Sequence, residues 1–63
     1  MKDLNDWTKV GDAYELRIGW TQHRVDLYCG HVRARVWNVN GVGTTERFDP
    51  PIVVVRALFG GGT

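Results

Sequence analysis

Three successive stretches of this chain alternate apolar and polar residues with a period of two. Tyr14, Leu16, Ile18 and Trp20 alternate with Glu15, Arg17 and Gly19. Val25, Leu27 and Cys29 alternate with Arg24, Asp26 and Tyr28. Val32, Ala34 and Val36 alternate with Arg33, Arg35 and Trp37. Successive side chains of a strand point to opposite faces, so the pattern predicts half-buried strands. A fourth run, Val42–Phe48, follows Asn40–Gly41, a dipeptide that tolerates positive φ at both positions and so favours a hairpin tip. Helical periodicity is weak throughout.

The runs can be paired. A type II′ turn at Gly30–His31 sets Cys29 opposite Val32, Leu27 opposite Ala34 and Val25 opposite Val36. It also sets Asp26 opposite Arg35 and Arg24 opposite Trp37. Closing the Asn40–Gly41 hairpin places Val39 by Val42, Trp37 by Thr44 and Arg35 by Glu46. A turn at Gln22–His23 places Trp20 by Val25, and Gly11–Asp12 turns a short first strand, Trp7–Val10. One face then carries Leu16, Ile18, Trp20, Val25, Leu27, Cys29, Val32, Ala34 and Val36 as the core. Pro50 and Pro51 cannot donate to a ladder. The segment after them, Ile52–Phe59, is apolar on both faces and reads as a strand buried on both sides. It would close the sheet or pair across a homodimer; a short helical turn over Arg56–Phe59 is the other reading. The expected fold is all-β: a small antiparallel meander of five or six strands, strongly bent or closed as a small (SH3-like) barrel.

With 63 residues the chain makes one domain, residues 1–59, and Gly60–Thr63 reads as a flexible glycine-rich tail. A chain this short buries only about 60% of its unfolded surface, which makes a lone core marginal. Cys29 is the single cysteine, so an internal disulfide is excluded. The polar start, Met1–Asp6, is unlike a secretory signal. The longest apolar run, Ile52–Val55, is far short of the ~20 residues of a membrane helix. These features predict a cytoplasmic protein without a membrane partner.

Catalytic and metal-binding constellations are thin. Turns at both ends of one strand would hold His23 and His31 roughly 26 Å apart. Cys29 and His31 supply two ligands where structural zinc takes four. Gly41–Val42–Gly43 lacks the later glycine of a dinucleotide loop, and no Lys-Thr or Lys-Ser follows Gly60–Gly62. No enzyme activity, cofactor or metal is expected.

The face away from the core is the informative one. It is predicted to carry Arg24, Tyr28, Arg33, Arg35, Trp37 and Phe48, with Tyr28 and Phe48 flanking Arg33. From Arg17 to Arg47 five arginines stand against Asp26 and Glu46, although the whole chain carries only +1. Arginine beside aromatics is the composition of a protein-interface anchor, and also of a sheet that stacks single-stranded bases. The leading expectation is a non-enzymatic protein-binding module. It would be a small stoichiometric inhibitor or adaptor of viral or mobile-element type, for example against a host defence complex. The alternative is a single-stranded nucleic-acid-binding small β-barrel, which the weak net charge disfavours. A purely structural role, with the aromatics in a second core or the last strand joining two subunits, is the third reading.

Overall fold

The computed structural model describes residues 3–41 and 43–60. Val42 and the tail residues 61–63 lie outside them, as do Met1 and Lys2. A 3-10 turn, Leu4–Asp6, leads into β1 (Thr8–Val10), β2 (Ala13–Ile18), β3 (Thr21–Tyr28), β4 (His31–Asn38) and β5 (Glu46–Arg47), and α1 (Ile52–Leu58) follows. The five strands form one antiparallel sheet whose spatial order is the chain order. The meander is as expected. The barrel is not: β1 and β5 stand at opposite edges and the sheet is open.

Two-residue loops at Gly11–Asp12, Gly19–Trp20 and Cys29–Gly30 join the first four strands, closing on Val10–Ala13, Ile18–Thr21 and Tyr28–His31. The first is where the sequence put it. The second replaces the expected turn at Gln22–His23, because Gly19 supplies a left-handed φ of 60° that neither of those residues offers cheaply. The third falls one residue earlier than Gly30–His31. Cys29 at φ 54° and Gly30 at φ 81° make both loop positions left-handed, which is the type I′ preference for a twisted hairpin.

These shifts move the register in steps that matter unequally. Val25 lies opposite Tyr14 instead of Trp20, and opposite Ala34 instead of Val36. Both displacements are even, so every side chain keeps its face. On the far side, Arg35 lies opposite Arg47 and Val36 opposite Glu46. That displacement is odd and turns the last segment over. Asn40–Gly41 is not a two-residue tip. Gly41 N–H donates to Asn38 C=O at 3.1 Å, and the connection runs from Val39 to Thr45 before β5 begins.

The core lies between one sheet face and α1. Trp7, Val25, Ala34 and Val54 are buried together, with Tyr14, Leu16, Val32, Phe48, Val53 and Leu58 packed around them. Trp20 and Cys29, expected in the core, are exposed turn residues, and Ile18 is half exposed. Ile52–Phe59 is not a strand. Proline at 50 and 51 removes two ladder donors. Pro51 C=O accepts from Val54 and Val55 N–H at 3.1 and 3.2 Å, and Gly60 at φ 78° ends the helix. Three consecutive valines cost a few tenths of a kcal/mol each in a helix. Complete burial of Val54 against β3 returns about 1.5–3 kcal/mol, so packing overrides propensity. The segment read as a strand is therefore a helix over Ile52–Leu58 that covers the sheet.

Candidate interaction face

The surface opposite α1 is built from cross-strand rows. Register lines up Thr8, Glu15, Arg24, Arg35 and Arg47 in one row across all five strands. Arg17, Gln22 and Trp37 form the row on one side, Asp26 and Arg33 the row on the other, and Tyr28 and His31 the row beyond. Directly opposed residues share a face. Arg17, Arg24, Arg33, Arg35 and Arg47 therefore stand on one surface against two acids, Glu15 and Asp26. Glu46, expected beside Arg35, is opposite Val36 and so on the other face.

The arginines are not equivalent. Arg33 grips Asp26 with two hydrogen bonds, Nε to Oδ1 at 3.2 Å and Nη2 to Oδ2 at 2.9 Å. Its guanidinium also lies 4.3 Å from the Tyr28 ring centroid, the arginine–tyrosine stack that the sequence suggested. Arg24 pairs with Glu15 and approaches Asp26 at 3.7 Å. Asp26 is buried at 8% exposure. The hydrogen bonds from Arg33 hold its carboxyl below the usual carboxylate pKa, against the opposing effect of burial, and the fields of Arg33, Arg35 and Arg24 add to this. Arg17 donates to Gly19 C=O at 3.0 Å and stacks 5.5 Å from the Trp20 centroid.

Arg35 and Arg47 differ from these three. Neither has a hydrogen bond or ion pair among the described residues. Arg35 Nε is buried without a protein partner. Two arginines are thus directly opposed in register across β4 and β5, neither of them in an ion pair among the described residues.

Of the six residues singled out in the sequence, Arg24, Tyr28, Arg33, Arg35 and Trp37 share this face. Phe48 does not. The odd shift at β5 turns it to the core, where its ring stacks on Trp7 (6.5 Å, 6° between planes) and meets His23 edge-on at 5.1 Å. His23 is correspondingly a β3 residue on the core face, not a turn residue, and its Nδ1 is buried without a partner. Arg17, Arg47 and Gln22 were missed as members of the face. Period-two alternation already places Arg17 with Glu15 in β2. Arg47 depends on where the Val39–Thr45 connection re-enters the sheet, which no local pattern states.

Among the described residues no three His, Cys, Asp or Glu side chains converge as metal ligands. No helix is long and apolar enough to cross a membrane. No family model matches the chain, and no curated protein or solved structure does.

Proposed function

We propose that this protein is a non-enzymatic binding module that engages an acidic surface of a protein partner through its arginine face, acting as a stoichiometric inhibitor or adaptor. The observation that supports this reading is the Arg35–Arg47 opposition. Like charges directly opposite each other destabilise a sheet, and an anionic group that bridges them reverses that sign with charge-assisted hydrogen bonds. Trp37, half-buried on the same face, supplies the aromatic neighbour typical of interface anchors.

A carboxylate-bearing protein fits better than stacked bases. A stacking platform needs aromatic rings within reach of successive bases. Tyr28 and Trp37 stand three rows apart, about 20 Å along the strands. Arg33 covers the Tyr28 ring, and Phe48 faces the core.

The test is parallel capture from a lysate of the cell that makes the protein, with wild type, Arg35→Ala and Trp37→Ala as baits. Both protein and nucleic acid are identified. The expected result is a protein retained by wild type, lost from both variants and indifferent to nuclease. A nucleic acid, released steeply between low and moderate salt, would replace this reading with the phosphate-binding one.

A further inference from the structure

β4 is paired along its whole length on one side and for only two residues on the other. β3 covers His31–Asn38, whereas β5 reaches only Arg35 and Val36. After Arg47 the chain leaves the edge, because Phe48 turns over the core face toward Trp7 and two prolines follow. No strand of the described residues pairs with His31–Ala34 on the outer side. The two-residue loop makes Tyr28–His31 the closing hydrogen-bonded pair, so alternate residues of β4 turn their backbone groups outward, Val32 among them. An unpaired edge of this kind is a template for another strand.

A groove of about 870 Å³ runs along this edge. Its floor is apolar, from Val32, Ala34, Phe48, Pro50 and Val55. Its charged lining is Arg33 and Arg47, with Asp49 as the opposing charge. A strand laid beside β4 here would alternate its side chains between these two surroundings. Residues on the Val32 side meet the apolar floor. Residues on the Arg33 side meet guanidiniums, of which Arg47 has no ion pair or hydrogen bond among the described residues.

We infer that the outer edge of β4 takes an extended segment of a partner protein by antiparallel strand addition, in the place β5 vacates, and that this segment alternates apolar with acidic residues. Backbone hydrogen bonds supply the pairing, and the alternation supplies the selection. The inference shares the acidic partner and Arg47 with the function proposed above, but its pairing rests on the open backbone edge of β4 instead of the Arg35–Arg47 opposition.

The probe is an acetylated, amidated octapeptide of alternating valine and glutamate, titrated into the full chain while amide exchange is followed by NMR. The Val32 amide is expected to exchange quickly in the free protein and to become protected when the peptide binds. The same peptide N-methylated along its backbone keeps its charges and loses its donors, and is expected not to bind. Arg47→Ala should weaken the peptide about two- to fivefold, the range of an exposed ion pair, and Asp49→Asn should tighten it by a similar factor. A Val32 amide already protected in the free protein, and more so at higher concentration, would mean that a second copy covers the edge and would overturn the inference. Binding that shifts Arg24 and Arg35 without protecting Val32, and that survives N-methylation, would overturn it too while leaving the arginine face as an acidic-surface site. Loss of capture by Arg35→Ala with no peptide binding at all separates the two claims in the same way.

Discussion

The two faces of the sheet solve opposite problems with the same backbone. On the α1 side, Val25 and Val54 reach zero exposure within a cluster of apolar and aromatic side chains. On the other side the most buried polar residue is Asp26, and it is surrounded by arginines. The first face loses stability if a charge enters it. The second is rich in charge and only partly neutralised: Glu15 and Asp26 pair with Arg24 and Arg33, and Arg35 and Arg47 have no ion pair among the described residues. The lesson is that the apolar core face and the arginine-rich face of this small domain are separated by the thickness of one strand.

The strongest way to break the contrast is to put a carboxylate on the apolar side. Val54→Asp removes a fully buried side chain and buries a charge with no partner, a loss of several kcal/mol. In a domain this short that exceeds the margin of stability. The expected outcome is loss of the cooperative thermal transition by circular dichroism. Arg35→Asp, on the opposite face, should retain the transition.

Asp26→Asn tests the arginine side at its structural centre. It leaves Arg33 without its bidentate acceptor and should cost about 1–3 kcal/mol in urea denaturation. The same group sets an acid limit. Its folded pKa is lowered, so the unfolded chain binds the proton more readily and the stabilisation is complete above the unfolded value, about 3.9. Stability should be level from neutral pH down to that region and fall as pH drops toward the folded value. In Asp26→Asn this acid-side slope should be smaller.

The smallest effect sharpens the comparison most. Arg47→Glu places an acid opposite Arg35. The domain should gain about 0.2–1 kcal/mol in denaturation, while retention of the partner protein is lost. A variant that gains stability and loses binding together marks Arg47 as kept for interaction.

Alternation alone carries the faces of β2, β3 and β4, because turns displaced by three and by one residue shift the cross-strand register by six and by two, even steps that leave inside and outside unchanged. Arg24, Arg33 and Arg35 were legible for that reason, and so was the Arg33–Tyr28 stack, which survives as a diagonal contact. Phe48 was not legible. Its face depends on how many residues the Val39–Thr45 connection spends outside the sheet, and one residue more or fewer reverses it. α1 was hidden by the β preference of three consecutive valines. Proline before the segment and glycine after it bracket a helix, and only the need to cover Val25 and Ala34 decides the matter. Trp7 gave no periodic signal, since it is a buried ring that precedes β1 and lies outside the strand's alternation.

Because the strands lie in space in the order in which they occur in the chain, each sheet pairing except the last is a hairpin closed by two residues. Closing such short loops costs little entropy, and chains dominated by local pairings fold fast for their size. The distant contacts, in which Phe48 meets Trp7 and α1 settles over β3, are then expected to form last. Until they form, the hairpins are expected to hold Arg17, Arg24, Arg33 and Arg35 on one surface already in register, so the charged face is assembled before the apolar face is covered.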